Sequence, residues 1–138
     1  MNDPLSLVLV ALEGIGVLAF ALSGILAGAR KQLDVVGVAV IAFLTAFGGG
    51  TLRVILLDRG PFFWVANEGW VIAVLVLAIA VPVVLRSNHI ELTHRAMQWP
   101  DALGLGLFAA SGTQIALDSG SSPLVATLMG VVTAAFGG

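Results

Sequence analysis

Five long apolar stretches separated by short polar segments constrain this chain more than any other feature. A helix needs roughly 20 apolar residues to cross a bilayer, so each stretch is predicted to be a transmembrane helix. The predicted helices cover about residues 5–28, 33–57, 69–85, 97–117 and 123–138. Because 59% of the residues are hydrophobic and only 10% are charged, the chain has too little polar surface for a soluble domain. We therefore expect an all-α integral membrane protein that sits in a lipid bilayer.

The charged and reactive residues argue against several classes of function. A formal net charge of −2 provides no basic surface for nucleic acid, so we expect no nucleic-acid partner. The chain has no cysteine, and it shows no nucleophile–base arrangement, phosphate-binding loop or dinucleotide fingerprint. We therefore expect neither an enzyme nor a bound cofactor. His89 and His94 lie in a polar segment without a cluster of carboxylates or cysteines around them, which favours a solvated loop over a metal site.

Basic residues indicate how the helices are oriented. Every predicted connection is short, so neighbouring helices alternate in direction, and basic residues concentrate on the cytoplasmic side of membrane proteins. Four basic residues fall on one side and two on the other: Arg30, Lys31, Arg86 and Arg95 against Arg53 and Arg59. This balance places the N-terminus outside and residues 88–96 in a cytoplasmic loop. We expect a multi-pass protein of the cell's inner (plasma) membrane.

The sequence contains an internal repeat at an offset of 88 residues. The offset spans three predicted helices, an odd number, so the second copy is inverted in the membrane. Residues 1–87 then form one three-helix unit, and residues 97–138 form part of a second. Inverted repeats with glycine-interrupted helices are typical of transport proteins. The matched segments are Phe20–Gly24 with Phe108–Gly112, Thr45–Gly50 with Thr133–Gly138, and Glu13 with Asp101.

Three successive glycines, Gly48–Gly50, are the sharpest local feature. They add backbone freedom and remove side-chain packing, so the second predicted helix is expected to bend or open there. In one interpretation the freed carbonyls line a pathway for an ion or small solute, since unpaired backbone in a membrane is tolerated only against protein or water. In the other, the small residues permit close helix packing, which is our interpretation of Gly24 and Gly28. The repeat places Gly137 and Gly138 at matching positions, which favours the pathway.

Thr45, Gly49 and Arg53 are spaced four residues apart and therefore share one helix face. The Thr45 hydroxyl either faces the pathway or bonds back to its own helix; Thr133 is its counterpart in the second copy. Arg53 lies about 6 Å inside the predicted helix end. Its side chain either extends to the membrane interface or faces a water-filled cavity, where it would set an electrostatic barrier.

Glu13 is the ionisable residue that lies deepest in a predicted helix, about 13 Å from the start of the first. A carboxylate at this depth is costly and normally faces the protein interior. Three roles are open: attracting cations, pairing with Arg53, or donating a hydrogen bond as a protonated carboxyl. Ser23 lies on the same face, and Ser111 is its counterpart in the repeat, so both are candidates for the pathway. Asp101 is shallower, and a helix-dipole role competes there.

These motifs resemble the bacterial branch of the trimeric intracellular cation (TRIC) channel family, also known as the glycine transporter domain family. The resemblance covers essentially the whole chain, and the Ser-Gly and triple-Gly elements occur at the separation expected in the family. It rests on Phe20–Gly24, Ala27–Lys31, Asp34, Gly37 and Thr45–Arg53, with a weaker second copy from Phe108.

The resemblance implies a seven-helix fold made of two inverted three-helix repeats and a final helix. It also implies a homotrimer with one pore in each protomer, lined by the second and fifth helices, which bend at their glycines. The permeant ions would be monovalent cations, chiefly potassium. Kinks are then expected at Gly48, Gly49 and Gly50 and at Gly137 and Gly138, with Thr45, Thr133, Ser23 and Arg53 near the pathway.

Two further readings of the same residues stay open. A secondary transporter of a small amino acid such as glycine also suits interrupted helices, because backbone N–H groups and Arg53 would hold a carboxylate. A membrane subunit without a transport role is the third hypothesis.

The chain departs from the family pattern in two places. Val54 follows Arg53 where the family commonly has aspartate, which puts any gating pair that uses that aspartate in doubt. The sequence also ends within the fifth predicted helix. We therefore expect a fragment whose pore is not complete.

Overall fold

The computed structural model describes residues 3–89, 91 and 94–137. These residues form six helices and no strand, which confirms the all-α prediction. Three of the helices, the first, second and fourth, are long and apolar enough to cross a membrane, and the sixth is apolar but shorter. The helices are α1 Pro4–Arg30, α2 Val35–Leu57, α3 Phe63–Ala66, α4 Glu68–Ser87, α5 His94–Asp118 and α6 Pro123–Gly137.

Local sequence signals explain where several of these helices start and stop. Pro4 and Pro123 occupy the first positions of α1 and α6, where the missing N–H of proline costs nothing. Asp34 caps α2, and its carboxylate accepts a hydrogen bond of 2.8 Å from the Gly37 N–H. The same helix ends at Leu57, and the capping residue that follows, Asp58, adopts a left-handed conformation with φ of 50°.

Two segments differ from the sequence prediction. Helix α5 already begins at His94, inside the segment 88–96 that we expected to be loop, because a polar sequence does not by itself prevent helix formation. The aromatic stretch expected to be loop contains α3. Its Trp64 ring lies 5.5 Å from that of Phe43, and its indole N–H donates to the Thr51 hydroxyl at 3.1 Å. These contacts hold the connection against α2.

Helix α1 lies at the centre of the bundle and packs against α2, α4 and α5. Helix α5 also packs along α6, and α6 returns to contact α2. Helix α4 lies on the outside, against α1 and α2. The functional side chains described below lie where α1, α2, α5 and α6 meet.

The contacts between α1 and α5 are reciprocal. The buried rings of Phe20 and Phe108 meet edge to face with centroids 4.9 Å apart. A methyl group added to Gly16 would lie 2.6 Å from the Phe108 ring, and one added to Gly104 would lie 2.8 Å from the Phe20 ring. Each glycine therefore packs against the phenylalanine of the other repeat. A two-fold axis between the repeats produces this exchange. The predicted inverted repeat is confirmed.

The outer surface of the bundle is apolar. Leu7, Val36 and Leu124 are 61%, 68% and 71% exposed, although a soluble protein would bury most such side chains. These exposed apolar side chains are expected to face the hydrocarbon of a lipid bilayer.

Candidate functional site

A buried ion pair joins α1 to α2. The Arg53 guanidinium donates from Nη1 to Glu13 Oε1 at 2.7 Å and from Nη2 to Glu13 Oε2 at 3.0 Å. Both residues are only 4% exposed. This bidentate geometry is the strongest arrangement of an arginine with a carboxylate. Of the three roles open for Glu13, pairing with Arg53 is the one observed, and Arg53 does not extend to the interface.

Ser111 on α5 completes the site. Its hydroxyl, which is fully buried, donates to Glu13 Oε1 at 2.6 Å. Three helices therefore share one carboxylate, and both repeats contribute to it. Among the described residues no buried side-chain nitrogen or oxygen lacks a hydrogen-bond partner. Such complete pairing is what makes two charges tolerable away from water.

The third glycine of the triplet leaves room for this ion pair. A methyl group at Gly50 would lie 3.9 Å from Arg53 Nη2 and 4.0 Å from Glu13 Oε2. Those are contact distances, so any larger side chain would displace the guanidinium or the carboxylate. Gly50 thus belongs to the ion-pair site.

The first two glycines bring backbones together. A methyl group at Gly48 would lie 2.9 Å from the Phe136 carbonyl oxygen, and one at Gly49 would overlap the Thr133 carbonyl oxygen. Helix α2 stays α-helical through all three positions, so it does not open there in this structure, and the bend at these glycines stays a prediction. The observed role of Gly48 and Gly49 is the close approach of α2 to α6.

The second copy of the glycine motif is described only in part. Gly137 is buried at the end of α6, and a methyl group there would meet the rings of Phe20 and Phe108 at 2.7 and 2.9 Å. Helix α6 is α-helical up to this residue. Gly138 lies outside the described residues.

Thr45 and Thr133 occupy equivalent places in the two repeats. The Thr45 hydroxyl lies 2.9 Å from the Ile41 carbonyl of its own helix and 3.1 Å from the Phe20 carbonyl of α1. The Thr133 hydroxyl donates to the Met129 carbonyl at 2.7 Å. Gly24 faces Thr45 and Gly112 faces Thr133, so each glycine makes space for a threonine. Both hydroxyls bond back to their own helices.

Ser23 and Asp101 form a second carboxylate–hydroxyl pair on the same seam between α1 and α5. The Ser23 hydroxyl lies 3.5 Å from Asp101 Oδ1, and both residues are half-buried. The described part of the chain places no basic nitrogen within 4.0 Å of Asp101. The second pair is therefore looser and more accessible than the first.

A cavity of about 440 Å³ reaches the ion pair from one end of the bundle. Glu13 and Arg53 line it together with the exposed Arg59 and Asn67, so it opens at the protein surface. Its size lies in the range of small-molecule sites. Sequence reasoning missed Arg59 and Asn67 as site residues, because they belong to a connection whose course no periodic pattern predicts.

His89 and His94 are not part of a cluster of potential metal ligands in the part of the chain that the structure describes. Within residues 3–89, 91 and 94–137, no three histidine, cysteine or acidic side chains are grouped so that they could hold a metal ion.

Replacing Ser111 with alanine should measure how much α5 contributes to the ion-pair site. The expected loss is about 1–3 kcal/mol of unfolding free energy, since a buried carboxylate oxygen loses a short hydrogen bond. Reversible unfolding in mixed micelles is the measurement. Ser119→Ala is the control, because among the described residues that hydroxyl bonds to the Ile115 carbonyl of its own helix and does not contact Glu13. Equal losses in the two variants would show that Ser111 adds nothing through Glu13.

Comparisons with known proteins agree with this architecture. A family described as glycine transporter matches residues 10–87 and 98–138. The UPF0126 inner membrane protein YadS of Escherichia coli K12 is 35% identical over 131 residues, which cover 92% of this chain and 61% of YadS. A UPF0126 membrane protein of Deinococcus radiodurans is also 35% identical, over 100% of this chain and 66% of its own length.

A solved structure gives the same result in three dimensions. The TRIC trimeric intracellular cation channel orthologue from Rhodobacter sphaeroides superposes with a TM-score of 0.85 at 39% identity, over 95% of this chain and 66% of that one. The chain thus spans from 61% to 66% of the length of these three relatives.

Proposed function

This chain belongs to the TRIC channel family, whose sequence family is described as glycine transporter, and on that premise we propose that it forms part of a potassium-permeable cation channel. The observation that carries the proposal is the structural match to the Rhodobacter channel orthologue, at 39% identity and a TM-score of 0.85. Identity at this level over 95% of the chain supports a shared function as well as a shared fold.

The proposed pathway starts at the cavity that ends on the Glu13–Arg53 pair. From there the proposed pathway continues between α2 and α6, along the faces that carry Gly48, Gly49 and Gly137. Because the backbones of α2 and α6 touch at Gly49 and Thr133, the described conformation is closed along this line. Conduction would require the two helices to separate there. The remaining residues proposed to lie along the pathway are Gly50, Gly138, Thr45, Thr133, Ser23 and Ser111.

The assembly and placement proposed for the protein follow its relatives. We assign it to the inner membrane, because its relative YadS is named an inner membrane protein. The distribution of basic residues favours an N-terminus on the outside. We assign it a homotrimeric state, as the name of the Rhodobacter orthologue states for that protein.

The intact protein in planar bilayers is expected to carry unitary potassium currents. Under a potassium chloride gradient, the reversal potential should lie near the potassium equilibrium potential, because a cation-selective pathway excludes chloride. The control is the same bilayer after fusion with empty vesicles. Absence of a potassium-selective conductance in protein of verified trimeric state would contradict the channel proposal.

A carrier for a small amino acid is the second candidate. The cavity favours it in one respect: its lining includes the exposed guanidinium of Arg59 beside the Glu13–Arg53 pair, and a guanidinium pairs with the carboxylate of a zwitterion. Radiolabelled glycine should then accumulate in proteoliposomes with saturable kinetics. Uptake equal to that of empty liposomes would exclude this function and would leave the channel proposal untouched.

A further inference from the structure

A continuous groove runs along the outside of the bundle between α2 and α4. Its inner part is a cavity of about 470 Å³, lined among the described residues by apolar side chains alone, including Phe43, Leu44 and Leu75. A second cavity of about 560 Å³ continues the groove to the end of α4. The two cavities share Val35 and Ile79 in their walls, so they adjoin.

The groove has the length of one lipid leaflet. It extends along α2 from Asp34, which caps the start of the helix, to Leu44. At a rise of 1.5 Å per residue these positions are about 15 Å apart. The hydrocarbon core of a bilayer is roughly 30 Å thick, so the groove matches the depth of a single layer of acyl chains.

The outer end of the groove carries one group of each charge. Arg86 and Asp34, both exposed, line the same cavity, but within the described part of the chain their charged atoms are more than 4.0 Å apart and form no ion pair. Asp34 Oδ1 accepts the hydrogen bond from the Gly37 N–H, and Oδ2 remains as an acceptor. Gln32 adds a side-chain amide beside Arg86 in an adjoining cavity of about 250 Å³.

We propose that this groove binds one molecule of phosphatidylethanolamine. Its phosphate pairs with Arg86, its primary ammonium pairs with Asp34, and one acyl chain lies along Phe43 and Leu75. A phosphatidylglycerol headgroup has no positive group for Asp34, and a choline headgroup has no N–H to donate to it. Of these three headgroups, ethanolamine alone provides a charge-assisted hydrogen bond to each of the two residues.

The symmetry of the bundle places the third helix of the second repeat elsewhere. Helix α4 packs against α1 and α2, and the two-fold axis carries α1 and α2 onto α5 and α6. The helix equivalent to α4 is therefore expected against α5 and α6. The outer side of the α2–α4 pair is not its place.

Native mass spectrometry of the intact protein tests the choice of headgroup. When dioleoyl phosphatidylethanolamine and dioleoyl phosphatidylcholine are added in equal amounts, the ethanolamine lipid should be bound in about threefold excess, the preference that an exposed ion pair provides. Asp34→Asn should abolish this preference, since asparagine caps a helix as well as aspartate but carries no charge. Glu91→Gln, which removes another exposed acid, should keep it. Equal binding of the two lipids by the wild type, or an unchanged preference in Asp34→Asn, would overturn the proposal.

A photoactivatable lipid locates the site. In proteoliposomes of the intact protein, phosphatidylethanolamine with a diazirine midway along one acyl chain should label residues 39–44 of α2 or 75–79 of α4. Arg86→Gln should lower this labelling about threefold. Arg95→Gln, at an exposed basic residue outside the groove, should not change it. Labelling confined to other helices would mean that further chain or a second copy covers the groove, and the proposal would be wrong. Neither measurement depends on a transport function.

Discussion

Replacing Glu13 with alanine is expected to destabilise the protein by about 3–5 kcal/mol, because Arg53 is then left charged and buried without its partner. Arg53→Ala should cost a similar amount, since it strands the carboxylate. Both residues are 4% exposed, so little water contacts them in the folded protein. Reversible unfolding in mixed micelles would give the two losses.

A double variant distinguishes the effect of removing the whole ion pair from the effect of leaving one charge without its partner. Glu13→Leu combined with Arg53→Met removes both charges and keeps the volume, so it should recover most of the stability that either alanine variant loses. Ser111 can then turn to the Phe108 carbonyl, which already lies 3.4 Å from its hydroxyl. Glu91→Ala, at an exposed position, is the control and should change the free energy of unfolding by less than about 0.5 kcal/mol. Additive losses in the double variant would show that the two charges do not depend on each other.

Gly49→Ala should be the most damaging single-methyl insertion in the α2–α6 interface. The added carbon would overlap the Thr133 carbonyl oxygen and lie 3.0 Å from the Gly137 nitrogen. Both neighbours are backbone atoms, so no side-chain rotation can relieve the overlap and the helices must move apart. The expected loss is about 3 kcal/mol, at the upper end of the cost of overpacking.

Gly106→Ala is the matched control for that substitution. Gly106 also lies inside a helix, α5, but nothing within 4 Å would meet its new methyl group. Alanine should be neutral or stabilising there by up to about 1 kcal/mol, because it loses less backbone freedom on folding. If the two variants were equally stable, the contact between α2 and α6 would not be tight in the protein.

The sequence was sufficient for the helical fold and for the symmetry of its core. Long apolar stretches determine membrane helices almost by themselves, and the repeat offset already paired Glu13 with Asp101 and Ser23 with Ser111. The sequence was not sufficient to predict which residues of one repeat contact which residues of the other. Nothing in a linear offset states that Glu13 meets Ser111 rather than Ser23, since that depends on the position of the two-fold axis.

The glycine triplet shows another limit of sequence reasoning. Glycine lowers the cost of two different outcomes, a broken helix and a close helix contact, and the sequence does not contain the position of the neighbouring helix. Because Gly48 and Gly49 have no side chain, α6 can lie directly against the backbone of α2 at these positions. Helix α2 keeps its α-helical hydrogen bonds there. The room that Gly50 leaves for the ion pair was likewise invisible before Arg53 and Glu13 were placed together.

The ion pair also bears on how the chain enters the bilayer during synthesis. Glu13 and Arg53 are separated by 40 residues, whereas Glu13 and Ser111 are separated by 98. The two charges can therefore meet as soon as α2 has left the ribosome, well before α5 exists. A lone arginine costs about 2.5–3.5 kcal/mol at the centre of an inserting helix and less near the helix end, where Arg53 lies. A carboxylate one helix earlier offsets part of that cost. The nascent hairpin of α1 and α2 can thus enter lipid as an electrically neutral unit, to which α5 later adds the serine that completes the site.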